Sequence, residues 1–120
     1  MRQREQLDVW KKAIDFVVAI YKATEGFPKE ERFGLISQLG RAAVSIPANI
    51  AEGAARKSPK EFAHFLSNSQ GSASEVETEL LIARKLGYMQ ETDYRALLSV
   101  LDDIGRMLTG LSRHLQKKSH

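Results

Sequence analysis

The sequence predicts an all-α protein: one antiparallel, up-down-up-down bundle of four amphipathic helices. Three observations predict it. Apolar residues recur at three-and-four spacing in four long segments, the breaks between those segments are short, and no stretch alternates with the period of a strand. The 120 residues show no shift in composition, so a single domain spanning 1–120 is expected, with helices over about 8–24, 29–56, 59–86 and 93–116.

The first helix is read from Leu7, Trp10, Ile14, Val17, Val18 and Tyr21, which share one face and are expected to point into the core. Val9, Ala13, Phe16 and Ile20 form a second apolar stripe about a third of a turn away. A peripheral helix needs one buried face, so this second stripe is expected to be a subunit contact. Gly26, Phe27 and Pro28 end the helix, because proline disfavours the α conformation in the residue before it.

The second helix is expected from Lys29, with Glu30 and Glu31 in a first turn that favours negative charge. Phe33, Ile36, Leu39, Ala43, Ile46 and Ile50 are its inward residues. Pro47 lies in phase with that rhythm, so a kink is expected there and not a break. Ser58, Pro59 and Glu61 then read as N-cap, first helical residue and capping-box partner of the third helix. Phe62, Phe65, Leu66, Ala73, Val76, Leu80 and Ala83 form its stripe, and Gly87 followed by Tyr88 resembles a glycine C-cap with its apolar contact. Thr92 is the expected N-cap of the fourth helix, which carries Tyr94, Leu97, Leu98, Leu101, Ile104, Leu108, Leu111 and Leu115.

Two polar stripes interrupt this pattern: Arg41, Ser45, Asn49, Glu52 and Arg56 on the second helix, and Asn68, Ser72, Glu75 and Glu79 on the third. Folding back about Lys57 and Ser58 sets Arg41 level with Glu75, which predicts an ion pair across the hairpin. Gly71 sits mid-helix at a cost of about 1 kcal/mol relative to alanine, and close approach of another helix is its expected compensation.

Composition narrows function mainly by exclusion. With no cysteine, disulfides and thiolate metal sites are ruled out. The polar start, with Arg2, Arg4 and Glu5, does not read as a signal peptide, and no segment approaches the roughly 20 apolar residues of a membrane span. A cytoplasmic protein with no membrane partner is expected. The histidines His64, His114 and His120 lack good metal-ligand spacing, apart from Glu61 with His64, which has no counterpart on the fourth helix. Nor is there a phosphate loop or an activated nucleophile. No catalytic residue, metal or cofactor is therefore expected.

The formal charge of +3 permits contact with nucleic acid without requiring it. Arg56, Lys57 and Lys60 at the second turn, and Arg113, Lys117 and Lys118 near the end of the chain, are the candidate contacts.

The run Ala42-Ala43-Val44-Ser45-Ile46-Pro47-Ala48-Asn49-Ile50-Ala51-Glu52-Gly53 resembles the bacterial four-helix family encoded in intervening sequences of 23S rRNA genes, also called S23 ribosomal proteins. Leu7-Asp8-Val9-Trp10, Phe27-Pro28, Gly71-Ser72-Ala73 with Glu75, and Leu86-Gly87-Tyr88 agree with it in register, so the likeness runs from about Leu7 to Leu115. The resemblance implies a left-handed bundle assembled as a ring-like homopentamer. It also implies kinship with the accessory protein of diversity-generating retroelements, which binds nucleic acid and a reverse transcriptase. On that pattern Arg41, Asn49, Glu52, Arg56, Gly71, Ser72 and Glu75 match the family motif and are expected to be structural or to lie at a subunit interface, with direct contact to nucleic acid the minority reading. The function expected is a non-catalytic, homo-oligomeric accessory protein contacting RNA or DNA, with a protein-protein adaptor as the alternative.

Overall fold

The computed structural model describes residues 4–118. Arg2 and His120 lie outside the described residues. The described residues form four helices, α1 (Arg4–Thr24), α2 (Leu35–Ala54), α3 (Pro59–Lys85) and α4 (Glu91–Lys118), with a 3-10 turn at Lys29–Glu31 before α2. No strand occurs among the described residues. Each helix packs on two others, α1 and α3 each against α2 and α4, to give a body of 48 × 25 × 19 Å.

Residues that meet between α2 and α3 lie equally far from the Lys57-Ser58 turn. The Gly53 backbone faces Phe62, and the buried Ser69 hydroxyl donates to the Ile46 carbonyl at 2.9 Å. Between α3 and α4, Gln70 Nε2 donates to Thr109 Oγ1 at 2.9 Å and Arg84 pairs with Glu91. Lys12 of α1 reaches Asp103 of α4 at 3.7 Å.

The α3 boundaries match their sequence signals. Ser58 Oγ accepts the Glu61 N–H at 3.1 Å and donates to the Glu61 carboxylate at 3.2 Å, with Pro59 at the first helical position. At the other end Gly87 has φ +78, a conformation that suits a residue without Cβ. The Gly87 and Tyr88 N–H groups bond back to the Arg84 and Ala83 carbonyls, a Schellman closure.

The start of α2 differs from expectation. The 3-10 turn breaks the helical phase, so Phe33 does not share a face with Ile36 and is 87% exposed, while Leu35 takes the core position. Glu31 organises this entry: one carboxylate oxygen accepts the Leu35 N–H at 3.1 Å and the other accepts the Tyr88 hydroxyl at 2.8 Å. Tyr88 in turn packs against the buried Phe27, ring centroids 5.5 Å apart. Beyond it α2 runs unbroken through the buried Pro47. The fourth helix starts ahead of Thr92, which is exposed in its first turn, because Glu91 is held by Arg84 and Arg95 and the Tyr94 N–H bonds to the Gln90 carbonyl.

The largest correction concerns α1. Val9, Ala13, Phe16 and Ile20 form the buried stripe, while Ile14, Val18 and Tyr21 are exposed and Leu7, Trp10 and Val17 are half-buried. The two apolar faces exchange the roles expected of them. Val9, Ala13, Phe16 and Ile20 are therefore core residues, unavailable to another subunit.

Candidate nucleic-acid and subunit-contact surfaces

The free apolar surface begins on α1 with Ile14, Val18 and Tyr21, one helical turn apart in succession. On α2, Val44 is exposed, and the Tyr21 hydroxyl sits against the buried Gly40. Since Gly40 and Val44 lie one turn apart on α2, Val44 falls beside Val17 and Val18 along the α1/α2 seam. These side chains, and not the Val9 stripe, are the exposed apolar surface of α1 and the neighbouring part of α2.

The polar stripes of α2 and α3 meet differently from the expected ion pair. Arg41 and Glu75 are both exposed and form no salt bridge with each other. The connection is made by small polar groups instead. Ser72 Oγ lies 2.8 Å from Ser45 Oγ, and Asn49 Nδ2 donates to the Ser45 carbonyl and hydroxyl, both at 2.9 Å. Ser72 thus ties α3 to α2 at Ser45, while Asn49 braces Ser45 from one turn along α2 itself.

Gly71 is exposed, and a Cβ built there would meet nothing within 4 Å, so the expected close approach is absent at that position. It occurs at Gly53, whose Cβ would lie 2.8 Å from both Phe62 Cδ1 and Phe65 Cβ and 3.2 Å from the Phe62 carbonyl oxygen.

One turn further along α3 from Glu75, burial pushes the Glu79 carboxyl above the usual carboxylate range, and the Glu75 charge pushes it the same way. Its Oε1 is buried without a hydrogen-bond partner. Because the folded pKa is raised, the unfolded chain releases this proton first, and stability falls as pH rises through the window above the ordinary carboxylate value. Glu79→Gln is therefore expected to raise the denaturation midpoint at neutral pH and to change it little in acid. An equal effect at both pH values would show that charge is not the cause. Glu31 behaves oppositely: the Leu35 N–H and the Tyr88 hydroxyl lower its pKa, so its contribution is present above the ordinary value and lost as pH falls through the lowered one.

Of the basic candidates, Lys57, Lys60, Arg113, Lys117 and Lys118 are exposed. Arg56 pairs with Glu52 at 3.0 Å, and its guanidinium lies 4.8 Å over the Phe65 ring. Arg56 and Lys60 come together around a shallow pocket of about 420 Å³ with Glu61, His64 and Phe65. Arg113 lines a separate cleft of about 640 Å³ between α3 and α4. Glu61 is engaged by the Ser58 cap and His64 packs edge-on to Phe65 at 5.6 Å, so each has a local structural partner. Among the described residues no three His, Asp or Glu side chains gather as metal ligands would.

The sequence profile of the family described as 23S rRNA-intervening sequence proteins matches residues 5–110. The chain belongs to that family. A crystal structure from Bacteroides thetaiotaomicron, of a protein with unknown function from the S23 ribosomal protein family, is similar to this intervening-sequence protein with TM-score 0.84 and 24% identity. The match covers 91% of this chain and 98% of the other, and at that identity it speaks for the fold. No curated protein matches the sequence. No helix among the described residues is long and apolar enough to cross a membrane.

Proposed function

We propose that this intervening-sequence protein is a non-catalytic, homo-oligomeric accessory protein of the cytoplasm that contacts RNA or DNA through one basic end of an up-down-up-down, left-handed bundle. The contacts Ile46 with Ser69, Gln70 with Thr109 and Lys12 with Asp103 support the antiparallel course. The observation that carries the function follows from that course. It brings the α2-α3 turn, with Arg56, Lys57 and Lys60, to the same end as the last turns of α4, with Arg113, Lys117 and Lys118. Residues far apart in sequence then contribute to one field. The opposite end mixes Glu30, Glu31, Glu91 and Asp93 with Lys29, Arg32, Arg84, Lys85 and Arg95, and Glu91 is already paired there with Arg84 and Arg95.

Assembly would multiply that field, because phosphate contacts too weak singly add across subunits held together. The exposed apolar patch of Ile14, Val18, Tyr21 and Val44 is the contact we assign to self-association, and the family resemblance suggests a ring of five. The same patch also suits a second reading, in which it receives another protein, such as a nucleic-acid enzyme. A partner retained from extract after nuclease treatment would favour that reading.

The test is a salt titration of binding to RNA and to duplex DNA. Affinity is expected to fall linearly on a log-log scale, and replacing Lys57, Lys60, Lys117 and Lys118 with glutamine should flatten the slope by about 0.9 per lost contact on duplex DNA. Binding indifferent to salt would refute the nucleic-acid half, and light scattering from a monomer at micromolar concentration would refute the assembly half.

A further inference from the structure

We infer that the surface around Phe65 is a stacking platform for an unpaired base, which makes single-stranded nucleic acid the class of ligand this end prefers. The inference rests on the nucleic-acid reading above and names the ligand of part of the same surface.

The platform starts from a glycine. Gly53 allows α3 to approach the α2 backbone so closely that a Cβ there would collide with Phe62 and Phe65 at 2.8 Å. Phe65 is consequently held against α2 and half-buried. Arg56, one turn beyond Glu52, lays its guanidinium over that ring at 4.8 Å while its edge is engaged by the Glu52 carboxylate at 3.0 Å. The arrangement orients a planar cation whose side chain remains 41% exposed. His64 stands edge-on to Phe65, interplanar angle 76°, and is itself exposed.

A shallow depression lies on each flank of Phe65: one lined with Arg56, Lys60, Glu61 and His64, the other with Asn49 and Glu52. Bases stack on guanidinium planes and on aromatic rings, and here the guanidinium lies over the ring, so a base would meet the outer face of Arg56 with Phe65 supporting it from beneath. Both depressions are open to solvent and do not enclose a small molecule. Lys57 and Lys60, exposed next to the platform, are placed for the flanking phosphates. Glu52 offsets the Arg56 charge, and Glu61, capped by the Ser58 hydroxyl, keeps its own beside the depression, so phosphate contact falls to Lys57 and Lys60. A duplex keeps its base faces stacked on one another, so it can use the lysines but not the ring.

Fluorescence anisotropy with the full chain tests this, using a labelled single strand, a hairpin duplex of equal charge, and a strand of the same length with abasic sites. His64→Ala, which removes an exposed side chain, and Phe65→Leu, which keeps an apolar group beside Gly53, are expected together to weaken single-strand binding roughly 5- to 10-fold. Duplex binding should stay within twofold, and the abasic strand should bind the unaltered protein about as weakly as the intact strand binds the variant. Equal affinity for the intact and abasic strands overturns the platform, as does a double variant that folds and binds the single strand undiminished. Loss of binding accompanied by loss of assembly in light scattering also overturns it, by giving Phe65 to a subunit contact. Salt-dependent binding with indifferent platform variants removes this inference alone, whereas no binding of any nucleic acid at low salt removes the broader reading with it.

Discussion

Phe16→Ala is expected to destabilise the protein by about 3–5 kcal/mol, whereas Val18→Asp, two residues away, should leave helix content intact and dissociate the assembly. The two side chains lie about 200° apart around α1. Phe16 is 1% exposed and belongs to a core that includes Leu39, Ile46, Ile104 and Leu108, so truncating it leaves a cavity as well as losing transfer energy. Val18 is 49% exposed in the single chain. An aspartate there keeps its water in the monomer and loses it only if another subunit covers it, which places the penalty on association. Urea denaturation with circular dichroism reads the first effect, and light scattering reads the second. The two-surface description of α1 fails if Val18→Asp unfolds the chain, or if it leaves the scattering mass unchanged while the unaltered protein is oligomeric.

The exchange of roles on α1 shows what helical periodicity can and cannot decide. Both stripes have the correct spacing, so a wheel finds them equally well. Burial is decided by neighbours: Lys12 reaches Asp103 from one side of the Val9 stripe, and Tyr21 rests on Gly40 from the other. Between them Val9, Ala13, Phe16 and Ile20 pack into the core with Leu39, Ile46, Ile104 and Leu108, which leaves Ile14 and Val18 on the rim. Signals confined to a few residues were legible, as with the Ser58-Pro59-Glu61 start of α3 and the Gly87 closure at its end, because both partners of each bond lie close together in the chain.

The start of α2 was not legible for the same reason reversed. Its organising carboxylate, Glu31, is fixed by a hydroxyl 57 residues away, on Tyr88. At the candidate site the charges could be read directly, but not what holds them. The stack of Arg56 on Phe65 depends on the α2-α3 register, and so does the Ser45 hydroxyl that receives Asn49 and lies against Ser72 in place of an Arg41 pair with Glu75.

Gly53→Ala and Gly71→Ala should move stability in opposite directions, although both replace a helical glycine with the best helix former. At Gly71 the new methyl meets nothing within 4 Å, so only the backbone effect remains and a gain of about 0.5–1 kcal/mol is expected. At Gly53 the same backbone gain is opposed by contacts of 2.8 Å with Phe62 and Phe65, one of them to Phe65 Cβ, an atom that cannot swing aside without moving α3. Overpacking of this kind costs about 1–3 kcal/mol. A net loss is therefore expected, and Gly53→Val should lose more. Denaturant midpoints of the single variants measure both signs. The Gly53 variant carries a second consequence: widening the α2-α3 seam displaces the Phe65 ring from beneath Arg56, so single-strand affinity should fall along with stability. A Gly53→Ala protein as stable as the unaltered chain would mean that the seam yields freely, and a platform resting on a yielding seam could not hold its ring in place for a base.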